Sequence, residues 1–455
     1  MKLSKMALVA AIACGIHAGS AFGQQAGNGI QKVSFADCDC GQPACGCEDP
    51  AAGCDASCDG ACDGAGGCDG ASGCGSGCGL GLHGMLGGFD CDELDEPWTL
   101  FKGQPLGFTV GGWSNVGYHS SRNAGGGITN GGAPANFNTY DNRVQLQQQW
   151  LYAEKVADGS NGLGFGGRID YLYGTDAPDT QPFGIADDHF TNSWDNGGQY
   201  GHAIPQLYGE VAYNDTSVKF GHFFTIIGNE VVAATGNFFY SRQFTFYNAE
   251  PFTHTGVLAT HQLNDDTTIY GGYVTGWDSG FKDNGDTFIG GIKRQFTDRF
   301  SLLYTTAIGR FNDDENSTNA RERGSIHSFI ATTQLTDKLT NLIQYDHLGT
   351  EDETGAIVRN THGLNVYFIY QVNDRVALGS RSEYFNWSVD AGSTGRTAID
   401  NANLFNQTYG VNYKVSSNLM VRPEGRWIWD YDRTGANEDN RREQFAFGMD
   451  AIYTF

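Results

Sequence analysis

The chain has 455 residues, with 65 glycines, 10 prolines, 13% aromatic residues and a formal charge of −24. That balance excludes a nucleic-acid partner, which needs a basic face. Beyond the N-terminal segment there is no run of about 18 apolar residues, which excludes a helical membrane span. Glycines and aromatics interleave over hundreds of positions, and no helical apolar period appears beyond residue 36. Both features point to an all-β chain.

At the start, Lys2 and Lys5 precede the apolar run MALVAAIACGI, and Ala21-Phe22-Gly23 offers small residues for cleavage. Residues 1–23 therefore read as an export signal. Export without a helical span leaves a periplasmic or secreted protein, or a barrel in the outer membrane.

Residues 24–97 form a low-complexity segment rich in Cys, Gly and Asp. It holds 11 of the 12 cysteines: Cys38, Cys40, Cys45, Cys47, Cys54, Cys58, Cys62, Cys68, Cys74, Cys78 and Cys91. Residues 37–96 carry 13 acids and no Lys or Arg. With almost no apolar side chains the segment is expected to be disordered, as a periplasmic arm. No C-x2-C pair is present, so a zinc site does not fit and no metal or cofactor is expected. In an exported chain an odd number of thiols predicts disulfides, to itself or to another envelope component. An unstructured spacer with local disulfides is the other reading.

From residue 106 a rhythm sets in of strand, short polar turn, strand and long loop. The short turns fall at 158–161, 214–216, 264–266, 297–298, 336–338, 373–374 and 416–417, and are built of Asn, Asp, Gly, Ser and Thr. The long connections fall at 119–141, 175–202, 227–253, 278–285, 310–324, 349–360, 388–402 and 432–442. Seven short and eight long connections join sixteen strands. Strict alternation of short and long predicts a transmembrane up-and-down antiparallel β-barrel of about 16 strands over residues 98–455. Short turns and both termini would lie on the periplasmic side.

Within the strands one parity is apolar, as in Phe300, Leu302, Tyr304 and Ile308, or Leu364, Val366, Phe368 and Tyr370. The opposite parity holds Arg168, Asp170, Glu210, Lys219, Arg381, Glu383, Arg422, Glu424 and Arg426. An Arg at mid-bilayer costs a barrel about 2–4 kcal/mol, so these nine are expected to line the pore. Gln148, His222 and Arg294 fall on the apolar parity as exceptions. Trp150, Tyr152, Tyr171, Tyr173, Phe296, Phe300, Trp427, Trp429 and Tyr431 are expected in aromatic girdles at the headgroup level. The last strand, EQFAFGMDAIYTF, alternates apolar residues up to Phe455 and is expected to hydrogen-bond to the first, because a closed barrel has no edge.

The stretch NFFYSRQFTFYNAEPFTHTGVLA (237–259), the ending GMDAIYTF and the strand pattern resemble the bacterial porins of the β-barrel porin 2, OmpL-like family. The resemblance spans 98–455 and implies an outer-membrane channel for small hydrophilic solutes and ions. It also implies that the third loop, 227–253, folds inward as a constriction, which suits a segment too apolar to stand in water. Glu230, Arg242 and Glu250 are then expected near the pore. Barrels of this size are commonly trimers, although the sequence marks no interface for one.

The rival readings are an enzyme and a structural or adhesive barrel anchored by the cysteine arm. His254, His261, His327, His347 and His362 have no Ser-centred motif nearby, which speaks against a hydrolase. The acidic loop NDDENSTN (312–319) lacks the glycine and final Glu of a dedicated calcium loop.

Overall fold

Along the final strand, Phe445, Phe447, Met449 and Tyr453 are 51, 40, 42 and 41% exposed, while Ala446, Asp450 and Ile452 between them are each 1% exposed. A period of two sorts the side chains, but with the apolar set outward, the reverse of a sheet facing water. The same inversion holds around the sheet. Phe220, Val257, Ile292, Ile343 and Leu378 are exposed, whereas Asp170, Gln344, Arg381 and Arg422 are buried.

The computed structural model describes residues 94, 96–121, 137, 140–181, 199–281, 285–312, 321–388, 401–433, 437 and 441–455. Apart from Leu94, residues 31–94 lie outside the described residues. The expected export signal, the eleven cysteines and the acidic stretch 313–319 also fall outside them.

The first strands are β1 (Thr109–His119), β2 (Val144–Lys155) and β3 (Gly164–Gly174). Next, β4 comes in two pieces, Gly201–Ala203 and Leu207–Tyr213, followed by β5 (Thr216–Phe224) and β6 (Thr253–Asn264). The chain continues through β7 (Thr267–Val274), β8 (Thr287–Thr297), β9 (Phe300–Asn312) and β10 (Glu322–Thr336). Then come β11 (Leu339–Glu351), β12 (Ile357–Gln371) and β13 (Val376–Ser388). The last three are β14 (Asn401–Lys414), β15 (Leu419–Asp430) and β16 (Glu443–Thr454). Both pieces of β4 pair with β3, and the break falls at Pro205, which has no N–H to offer the ladder.

Each strand pairs antiparallel with its sequence neighbours, and β1 pairs with β16, so the sheet closes as a barrel of 16 strands. At the seam, the Gly112 and Phe455 amides each donate to the other's carbonyl at 2.9 Å. The seven short connections sit where expected. One of the two-residue connections places Asn214 at φ 47°, a left-handed position that Asn tolerates in such hairpins.

Four side chains do not follow the simple alternation. Trp150 and Gln148 are fully buried, and Tyr152 lies under the Arg168 guanidinium, 4.4 Å from ring centre to Cζ. The expectations of a lipid girdle for Trp150 and Tyr152, and of a lipid-side place for Gln148, are therefore corrected. The cause is a β-bulge: Asn115 faces Gln148 but Val116 faces Leu146. The extra residue, Gln147, shifts the parity of the rest of β2 by one. His222 is likewise buried, with Nδ1 2.8 Å from the Thr255 hydroxyl. Arg294, at the end of β8, is exposed beside the Phe296 ring as expected.

Candidate functional site: the third loop against the barrel wall

The connection from β5 to β6, residues 225–252, contains the short helix α1 (Phe244–Ala249) and is largely buried. Its apolar side chains join two clusters with wall residues. Phe239 and Phe244 pack with Tyr367, Phe385 and Ile428. Val232, Ala233, Ala234 and Phe246 pack with Trp113, Trp150, Leu172 and Ile452. Burying these rings removes apolar area that water would otherwise meet, worth about 25 cal/mol per Å².

Glycines leave room both within the loop and on the wall it meets. Gly228 has φ 85°, and a Cβ there would stand 1.8 Å from Glu250 Oε2. On β13, a Cβ at Gly379 would meet the Phe238 ring at 2.2 Å.

The polar contacts are more specific than the apolar ones. Arg381 Nη1 on β13 donates to Glu230 Oε1 at 2.5 Å and to the Ser241 carbonyl at 2.8 Å. Two residues along, Glu383 accepts from the Phe244 and Thr245 amides at 3.0 and 2.8 Å, satisfying free N–H groups at the start of α1. On β15, Arg422 donates to the Ala234 and Asn237 carbonyls at 3.0 and 2.5 Å. It also forms a two-point pair with Asp450 at 2.9 and 2.5 Å. Glu424 accepts from the Tyr240 and Ser241 amides at 3.0 and 3.2 Å, and Arg426 donates to the Arg242 carbonyl at 3.0 Å. Wall arginines thus take loop carbonyls, and wall glutamates take loop N–H groups. Charge-assisted bonds of this kind are about twice as strong as neutral ones.

Of the three loop residues expected near the pore, Glu230 bridges Arg381, the Tyr367 hydroxyl (2.8 Å) and the Gln243 amide (2.7 Å). Arg242 donates to the Val232 carbonyl at 2.7 Å, with its Cζ 5.5 Å from the Phe137 ring centre. Glu250 accepts from Gln344 at 2.6 Å. Burial pushes its carboxyl well above the usual range, and the neighbouring Asp346 adds to the shift.

The other expected wall residues form a second group. Arg168 bonds Asp170 at 2.8 Å and Glu154 at 2.9 Å. Glu210 lies opposite Lys219 in register, and Lys219 Nζ lies 4.7 Å from the Tyr208 ring centre. All nine wall residues are buried. Their charges face partners within the protein.

Several anchors were not legible as candidates. Gln148 donates to the Val232 carbonyl at 2.7 Å and accepts from the Ala234 amide at 2.9 Å, Gln344 and Tyr367 bond the loop at Glu250 and Glu230, and Asp450 holds the anchoring Arg422. Asp450 has one signal in the sequence, an acid alternating with the apolar residues of β16. Gln148 has none, because the bulge hides its face.

Just after β3, Asp176 accepts from Gln148 at 2.8 Å. Burial pushes its carboxyl up to about 7, against the opposing pull of Arg242. A carboxyl raised in the folded state stabilises the protein most below its unfolded value of about 3.9, and that stability is lost as pH rises. Thermal stability of the protein is therefore expected to fall between pH 4 and about 7, and Asp176→Asn should flatten that slope. A parallel slope in the variant would refute the assignment.

Closed topology, inverted polarity and a loop bonded to the wall can be set beside known proteins. The sequence model of the family described as putative beta-barrel porin-2, OmpL-like, matches residues 107–455. The chain belongs to this porin family. Among solved structures it is similar to the outer membrane channel DcaP of Acinetobacter baumannii, at 11% identity and a TM-score of 0.50, over 79% of this chain and 100% of that one. It is also similar to outer-membrane expressed OmpT of Vibrio cholerae, at 14% identity and a TM-score of 0.50, over 76% and 97%. At these identities the likeness is one of fold. No curated protein matches the chain. Membership of the porin family places the protein in the outer membrane, and family and fold together point to a channel rather than an enzyme.

Proposed function

We propose that the protein is a passive outer-membrane channel for small hydrophilic solutes and ions, narrowed by residues 225–252 lying inside the barrel. The observation that carries this reading is the bonding of one long loop to wall residues on β11, β12, β13 and β15. A loop held from several strands at once is a fixed obstruction, and its edge sets what passes. Porin-family membership and the outward apolar face support the same reading. Refolded protein in a planar bilayer is expected to give discrete conductance steps. A silent but correctly folded barrel would overturn the channel reading in favour of a structural role.

Ion preference follows from the pairing of the arginines. Arg168, Arg381, Arg422 and Arg426 each stand against a carboxylate, at 2.8, 2.5, 2.5 and 3.8 Å. Their attraction for anions is offset locally, while residues 97–455 carry 39 acids against 25 bases. Across a tenfold KCl gradient the reversal potential is expected to lie on the potassium side of zero. A chloride-side value would refute this.

The cysteine arm is proposed to cross-link the protein to itself or to an envelope component in the oxidising periplasm. On gels without reductant the monomer band is expected to give way to slower species, and an unchanged band would dismiss the cross-link.

A further inference from the structure

The segment just before β1, sequence WTLFKGQPLGF (98–108), belongs to no strand until Thr109, yet it is held at one end of the barrel. The Trp98 amide donates to Asn418 Oδ1 at 2.7 Å, and Asn418 Nδ2 donates back to the Trp98 carbonyl at 2.8 Å. Asn418 lies in the short connection between β14 and β15 and also bonds the Thr454 carbonyl at 2.7 Å. The segment is thus pinned at the end of the short turns, which in this class of barrel is the periplasmic end.

Its side chains are the unusual part. Trp98, Leu100, Phe101, Leu106 and Phe108 are 51, 42, 51, 90 and 37% exposed. Leu106 also sits in the left-handed region at φ 56°, where a leucine is strained. Five large apolar side chains within eleven residues would be costly in water, and single exposed apolars elsewhere do not explain such a cluster.

Around the same end, Tyr213, Leu263, Phe296, Tyr413 and Tyr453 are exposed at the strand ends beside the short turns. They form the apolar and aromatic girdle that meets the inner leaflet. The segment continues that girdle sideways, and the exposed Lys102 within it can reach anionic headgroups.

We propose that residues 98–108 are an interfacial anchor, seated in the headgroup region of the periplasmic leaflet. Its occupant is phospholipid. Trp98, Phe101 and Leu106 enter the boundary between headgroups and acyl chains, and the Asn418 clamp sets their depth. The anchor rests on the membrane placement of the barrel and not on conductance, so a silent channel leaves it standing.

The test uses the full chain refolded into phosphatidylcholine vesicles, with folding checked by heat-dependent gel migration. The emission component lost in Trp98→Phe isolates Trp98 from the other tryptophans. That component is expected to be quenched by lipid brominated near the headgroup end of the acyl chain, more than by deep bromines, and to resist aqueous iodide. Quenching by iodide alone would show the segment in water. Resistance to both quenchers would show it covered by protein, as by a second copy of the chain. Either result overturns the anchor. In a second measurement, Leu100→Asp with Phe101→Asp should speed tryptic cleavage after Lys102 about tenfold, with heat-dependent migration of the barrel unchanged. Equal cleavage rates would also overturn it.

Discussion

Removal of residues 237–250 is expected to raise single-channel conductance about twofold or more, because the segment supplies the rings and backbone that lie against the wall. Phe238, Phe239, Tyr240, Phe244 and Phe246 are all lost; Glu383, Glu424 and Arg426 lose their loop partners, while Arg381 keeps only Glu230 and Arg422 only the Ala234 carbonyl. The charges then face lumenal water, so the conductance of the deletion variant should also vary more steeply with salt at low ionic strength. A finer version is Arg381→Met. It leaves Glu230 buried without its 2.5 Å cation, and breaking a buried pair from one side costs about 3–5 kcal/mol. The loop should loosen, which single-channel records show as added open-state noise. Pairing it with Glu230→Gln should recover much of the loss, because no unpaired charge then remains. Unchanged conductance in the deletion variant would remove the constriction role.

Ile343→Arg is expected to destabilise the barrel by about 2–4 kcal/mol in a bilayer. Ile343 is 41% exposed near the middle of β11, between Ala331 and Val366 on the flanking strands. If that face met water, the same substitution would change stability by less than about 0.5 kcal/mol. Denaturant titration of the protein refolded in vesicles separates the two. The comparison bears on the whole assignment, because it asks what solvent the apolar face meets.

Much of the fold follows from local pattern. The alternation in Phe445, Phe447 and Met449 decides which side chains point out, since residues two apart on a strand share a face. Connections of two to four mostly polar residues, alternating with connections of eight or more, decide the up-and-down order. The apolar content of 227–253 marks it as a loop that must pack. These are properties of neighbouring residues, so one sequence suffices to read them.

The loop's partners are of another kind. Glu230 meets Arg381 across 151 positions, and Arg422 meets the Asn237 carbonyl across 185. No spacing rule connects residues so far apart, and a carbonyl acceptor is present at every position and marks none. A single extra residue, Gln147, moved Gln148, Trp150 and Tyr152 to the interior, because a shift of one reverses every face along a strand. The sequence by itself determined a closed β-barrel with its apolar side out and charges in. Only the tertiary structure decided that those charges bond a loop, because closure of the sheet is what brings β11, β13 and β15 within hydrogen-bonding reach of the segment between β5 and β6.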